Sequence, residues 1–402
     1  MPTPPAARAV LPLAALLCGF VASAAVLPDD ASPFRRLHVF ARDGALPSGP
    51  LLEGADGFLY GTTALDGTRA GGGTLYRLAA DGSATILHTF RGGADDGATP
   101  QGALVQAADG SLVGTTLSGG AHELGTVWRC RLDGACAVLH AFSGTDGDGA
   151  NPMAGLVRAR DGNLYGTTAA GGAGHGTVFR VTPEGRTTIV HAFLADAADA
   201  GNIPQAELVQ GRDGALYGTT AVDGRGGGGV AFRLTLAGEY AVLHDFANDA
   251  QGRGPSALVQ ASDGNFYGTT HGGGAHAWGT VFRMTPEGVV TTLHDFDLDG
   301  AGGVDPRAPL VDGGDGYLYG TTARGGRAVR ACGGAGCGTV YRMTLAGALG
   351  VVHSFDDSRP GNTPTAGLVR TRGGHLAGTT SDTARAAGEF RGIAFALGEP
   401  GR

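Results

Sequence analysis

Lysine is absent from this chain: all 29 basic residues are arginine. Schiff-base chemistry and Walker-type phosphate loops both need a lysine amine, so both are excluded. Charged residues make up only 16% of the sequence, the net charge is -8, and no stretch concentrates arginine. The phosphate-neutralising term that dominates nucleic-acid binding is therefore missing, and nucleic acid is excluded as a partner. Tryptophan occurs twice and cysteine five times.

Long apolar runs are also scarce. The opening segment MPTPPAARAVLPLAALLCGFVASAAVLPDD carries Arg8, an apolar run from about residue 9 to 21, and the small residues Ala22-Ser23-Ala24. That order predicts a secretory signal at 1–25, removed on export. The run is shorter than the roughly 20 residues a membrane span needs and holds Pro12 and Gly19. No membrane span is expected after cleavage, and the protein is expected to be exported, periplasmic or extracellular. Outside the signal remain Cys130 and Cys136 in CRLDGAC and Cys332 and Cys337 in CGGAGC. In an exported protein these read as two local disulfides, one across a hairpin and one pinning a loop base. Zinc is the competing reading, but the spacing is not CxxC and no histidine adjoins either pair.

What the chain has in excess is glycine, 75 of 402 residues, beside 42% hydrophobic residues and no period of three. This is the composition of a folded, turn-rich β protein. The tripeptide GTT recurs seven times, with its glycine at Gly61, Gly114, Gly166, Gly218, Gly268, Gly320 and Gly378. Each unit reads approximately PxxxLVxxxDGxLYGTTxxGGxxxxGTVFRxTxxGxxTxLHxF. Four segments per unit have strand length and strand composition, bounded by turn residues: LV, LYGTT, GTVFR and TxLHxF, called A, B, C and D. Asp-Gly between A and B predicts a type I′ turn. Four-stranded antiparallel units with a period near 50 residues predict propeller blades.

The first recognisable element is a D strand without a blade, Leu37 to Phe40, and the last unit stops after strand C, Ile393 to Leu397. Seven D strands match seven units only if the N-terminal strand completes the last blade, which hides both open edges. The expectation is an all-β, seven-bladed β-propeller of four-stranded blades over residues 35–398, acting as a monomer. The unit resembles the GloVer tandem repeat of exported bacterial proteins with varied surface anchors, and more distantly the two-component-regulator propeller repeats with their GLWIGT core. That resemblance implies the fold and an exported location, and no established reaction. Many of those relatives end in a hydrophobic anchoring segment, where this chain reads FALGEPGR.

Residues that recur seven times are structural candidates, since catalysis needs a residue once. The strand D histidines 38, 88, 140, 191, 244, 294 and 353 are expected to bond GTT hydroxyls or an Asp of a DG turn. The arginines after strand C are expected to donate to ion pairs or hydrogen bonds. The GTT glycine is expected to let backbones approach near the axis. The position after LV holds Glu53, Gln106, Arg158, Gln210, Gln260, Asp312 and Arg370. This polar ring is expected to line a central channel, with Asp312, Arg370 and Glu53 forming an ion-pair arc.

Function is expected on the face bearing the long B–C and D–A loops. The B–C loops hold what does not repeat: His122 and Glu123, His175, and His271, His276 and Trp278. These are candidate ligand-binding residues for a glycan, peptide or protein partner of a binding scaffold. The alternative is a propeller-fold polysaccharide lyase or hydrolase using the loop histidines as acid and base. The acidic D–A loops, such as GGADDGATP at 92–100, offer hard oxygen ligands that could suit calcium, although none has EF-hand spacing. No other cofactor is expected.

Overall fold

A computed structural model describes residues 34–41, 43–47, 49–66, 71–194, 201–298, 300, 302–326, 332–334, 336–356, 361–381 and 392–398. The signal at 1–25 lies outside them. Seven antiparallel sheets, each containing strands in the order A-B-C-D, form a seven-bladed β-propeller. In blade 3 the strands are Val157–Arg158, Leu164–Thr168, Thr177–Val181 and Thr187–Ala192. The ring closes as the unit count requires: Phe34–Val39 pairs with Ile393–Leu397, followed by Leu376–Thr380 and Val369–Arg370. Both disulfides form as the spacing suggests. Cys130–Cys136 joins strands C and D of blade 2, and Cys332–Cys337 ties the B–C loop of blade 6.

The GTT glycine does not serve backbone approach. A Cβ on Gly166 would lie 2.6 Å from Phe179 Cζ and 2.7 Å from Leu156 Cδ2. The same collision recurs at Gly114 with Trp128, at Gly268 with Phe282 and at Gly378 with Phe395. The missing side chain is the slot into which the strand C aromatic and the strand A leucine pack, so the blade core is built around it. The second Thr of GTT pairs with the first Thr of strand C, Thr168 to Thr177 at 2.8 Å and Thr116 to Thr126 at 2.8 Å.

The A–B turn also departs from the type I′ expectation. In blade 2 the Gly110 amide donates to Ala107 O, and Gly110 has φ 83°, while Asp109 is not left-handed. Only the glycine takes positive φ, so the connection is a type I turn followed by a glycine bulge. The Asp is kept for its carboxylate: it caps the turn and accepts the hydroxyl of the strand B tyrosine, Tyr60 to Asp56 at 2.6 Å and Tyr165 to Asp161 at 2.8 Å. Arginines after strand C close the same corner, as Arg233 does on Asp213 at 2.8 Å.

Blades are joined near the axis by one repeated junction. The residue before each inter-blade proline is left-handed in all seven units: Leu46, Thr99, Asn151, Ile203, Gly254, Asp305 and Thr363, with φ between 55° and 61°. The Asn151 amide donates to Leu124 O of the preceding blade at 2.7 Å, and Asn151 O accepts from Ala169 N of its own blade at 3.0 Å. The following proline then seats on a glycine of the preceding blade. A Cβ on Gly125 would be 2.6 Å from Pro152 Cδ, and one on Gly392 would be 2.4 Å from Pro47 Cδ, so the closing pair of blades uses the same contact.

Two outcomes are expected. Gly166→Ala should lower unfolding stability by about 1–3 kcal/mol through overpacking against Phe179, read by denaturant titration. Tyr60 and Tyr165 are pushed up to about 12 by burial and then by their Asp partners, from the ordinary 10.0. The fold therefore holds these phenols neutral, and their contribution is intact below pH 10 and lost as pH rises toward 12. Loss of β circular dichroism and phenolate absorbance should rise together above pH 10; phenolate forming at pH 10 with the fold intact would contradict this.

Candidate functional site

The segments between the inter-blade proline and strand A come from all seven blades and surround one axial cavity of about 260 Å³. It opens on the end from which the D–A loops enter strand A, the long-loop face. Its wall is mainly Pro, Ala and Gly, including Pro50, Ala154, Pro255 and Pro309, with Met153. Into this wall project Gln101, Gln205, Glu207, Ser256, His271, Arg307 and Thr365, a polar set that differs from blade to blade. No Phe, Tyr or Trp lines it among the described residues.

Glu207 is the carboxylate of the cavity. It stands directly before Leu208-Val209, where the other six blades carry Pro50, Ala103, Gly155, Ala257, Pro309 and Gly367. Its side chain reaches past blade 3 to accept the Ala103 amide of blade 2 at 3.1 Å. Burial raises its pKa, opposed by the Ala103 and Gly155 amides that favour the charged form. Blades 2 and 3 meet closely here because Gly102 and Gly155 have no side chains: a Cβ on Gly102 would be 2.4 Å from Gly155 N. Close approach at the axis therefore belongs to glycines of this segment, Gly49 among them, where a Cβ would be 2.9 Å from Gly102 O.

His271 lines the same cavity from blade 5. Its Nδ1 is 3.0 Å from Gly254 O, which can only accept, so Nδ1 carries the proton and Nε2 is left with a lone pair. Burial lowers its pKa, which keeps it neutral near pH 7. Arg307 is held by Asp305, with Nε to Oδ2 at 3.0 Å, and Arg324 reaches the same oxygen at 3.1 Å. The Arg324 guanidinium lies 5.9 Å from the Trp278 ring centroid, and Trp278 packs half-buried on the blade 6 core.

The loop residues expected from sequence do not all converge. His271 reaches the cavity, while His122, Glu123 and His276 are exposed on B–C loops and His175 is half-buried in its own loop, none of them lining it. The ring after LV is used sideways. Gln106 accepts from Ala55 N of blade 1 at 2.8 Å and donates to Gly110 O at 3.0 Å, Gln210 and Gln260 repeat the pattern, and Glu53 accepts from Arg372 N at 2.6 Å. Arg158 bonds Gln106 O. Asp312 caps its own turn through Gly314 N, and Arg370 lies over Gly314. The expected Asp312–Arg370–Glu53 ion-pair arc is absent among the described residues, because backbone amides occupy the carboxylates, that of its own turn at Asp312 and that of the neighbouring blade at Glu53.

Three of the strand D histidines meet aspartates, His38 at 2.6 Å from Asp43, His88 at 3.2 Å from Asp96 and His140 at 3.1 Å from Asp148, while His244 meets Gln251 at 3.0 Å. Asp96 also accepts Arg91 N and Gly97 N, both at 2.9 Å. These loop acids, the candidates for calcium, are thus engaged internally, and the described residues hold no group of three or more metal-ligating side chains. Asp299 of the blade 5 loop lies outside the described residues. His353 instead stacks on Phe34 at 4.0 Å, and burial takes its pKa down to about 4.

Fold and site together define a seven-bladed propeller built from tandem repeats around an axial cavity. The chain belongs to the Gloeobacter/Verrucomicrobia repeat family, which it matches over residues 26–175 and 152–390. No curated protein matches it. Among solved structures it is similar to a PQQ-bound aldose sugar dehydrogenase from Streptomyces coelicolor, at 17% identity and TM-score 0.47, covering 92% of this chain and 100% of that one. It is also similar to a gluconolactonase from Xanthomonas campestris, at 15% identity and TM-score 0.43, covering 74% and 95%.

Glu207 yields a signed expectation. Its folded-state pKa is raised, so wild type carries no penalty below about pH 4.5 and loses stability as pH rises. Glu207→Gln should therefore match wild type in thermal unfolding at pH 4 and exceed it at pH 8. A gap that shrinks with rising pH would contradict the placement.

Proposed function

We propose that residues 35–398 form an exported binding protein, behind a signal cleaved near 1–25, whose ligand enters the axial cavity from the long-loop face. One observation carries this reading: the frame repeats seven times, while the polar side chains that line the axial cavity, Gln101, Gln205, Glu207, Ser256, His271, Arg307 and Thr365, are not one repeated residue. The fold supplies a rigid cradle of strands, and variation is confined to the positions a ligand would meet. In this reading the exposed loop residues His122, Glu123 and His276 would add contacts to a glycan, peptide or protein surface. Two disulfides suit an oxidising compartment.

The lyase or hydrolase alternative needs an acid and a base within reach of one substrate. Separation of His122 and His175 from the cavity that His271 lines favours binding without turnover. The test is a glycan and peptide array with the secreted protein, followed by assays for unsaturated or reducing ends. Ligand capture without product is expected, weakened at least tenfold by Gln205→Trp, which fills the cavity mouth. Product formation that disappears in His175→Ala would overturn the binding reading.

A further inference from the structure

We propose that the axial cavity is an ammonium site, in which Glu207 receives the –NH3+ head of a small organic amine. The inference rests on reading the cavity as a ligand site and adds the chemistry of the ligand. Glu207 is a half-buried carboxylate on the cavity wall, held in place by the Ala103 amide at 3.1 Å. A desolvated carboxylate is costly unless a cation joins it, and the cavity supplies none of its own. Arg307, the one Lys or Arg side chain among the described lining residues, is bound to Asp305. An ammonium brings one positive charge and three donors. The lone pair on His271 Nε2 and the amide oxygens of Gln101 and Gln205 are acceptors on the same wall.

Other ligand chemistries fit less well. An anion would meet the Glu207 carboxylate. A sugar ring would find no aromatic face among the described lining residues to stack on. A divalent metal would find one carboxylate and no group of three ligating side chains among the described residues. The remaining wall, with Pro50, Met153, Ala154, Pro255 and Pro309, is apolar and suits a short carbon chain. The volume of about 260 Å³ lies just below the usual range for ligand pockets, which limits the head and chain to a few heavy atoms.

The experiment uses the mature full-length protein and three probes of equal size: propylamine, 1-propanol and propionate. Saturation-transfer NMR should show contact with propylamine alone at neutral pH, and Glu207→Gln should weaken it at least tenfold. Glutamine keeps an acceptor for the Ala103 amide, so the variant should remain folded, which circular dichroism checks. The three-probe comparison on wild type decides the matter even if the variant fails to fold. Equal binding of 1-propanol, no binding of propylamine, or undiminished binding by folded Glu207→Gln would overturn the assignment. A larger array ligand that binds wild type and Glu207→Gln alike would leave the loop-face reading standing while removing the amine site.

Discussion

The structure depends on a left-handed residue followed by proline, placed where each blade meets the next. Left-handed backbone costs on the order of 1–3 kcal/mol at a non-glycine residue, and Leu46, Thr99, Ile203 and Thr363 adopt it here. The surroundings impose it. The amide of that residue is spent on the preceding blade, its carbonyl on its own blade, and the proline ring fills the space above a glycine. Thr363 shows the arrangement between blades 6 and 7, with its amide on Cys337 O at 3.0 Å and its carbonyl accepting from Ser381 N at 3.1 Å. Strain at functional sites is usually local, but this strain recurs seven times and is therefore architecture.

That junction also explains where function can reside. By fixing the chain just before strand A, it delivers the residues between that proline and strand A to the axis, two in blade 5 and three in the other blades. Their backbone is set by the ring, and their side chains are free to differ. Gln101, Glu207, Arg307 and Thr365 occupy these positions. At the opposite end of strand A the ring of Gln106, Gln210 and Gln260 is consumed in stitching neighbouring turns together. The channel thus has a structural end and a variable end.

The periodic features were legible in the sequence because periodicity is redundant: seven copies of GTT, DG and the strand D histidine fix blade count, closure and strand order together. Roles set by three-dimensional neighbours were harder. Gly166 announces a missing side chain but not that Phe179 and Leu156 fill the gap. Asp109-Gly110 announces a turn, yet the φ of Asp109 separates type I′ from a glycine bulge. The ring of Gln106 and Glu53 looked channel-lining because strand period places it inward, and only the adjacent turn amides reveal its sideways use. Glu207 lies outside every motif of the unit, in the three residues between Pro204 and Leu208. Its signal is an acidic residue at a position otherwise filled by Pro50, Ala103, Gly155, Ala257, Pro309 and Gly367. The loop histidines were visible as non-repeating residues, but loop direction is not encoded in spacing.

Amide hydrogen exchange tests the central claim, that the inter-blade junctions hold the ring as firmly as the blades themselves. The amides of Asn151, Asp305 and Thr363 should exchange only through global unfolding, with the protection of strand C amides such as Val178. Exchange of these three at the rate of the exposed C–D turn amide of Glu184 would show that the ring is held elsewhere.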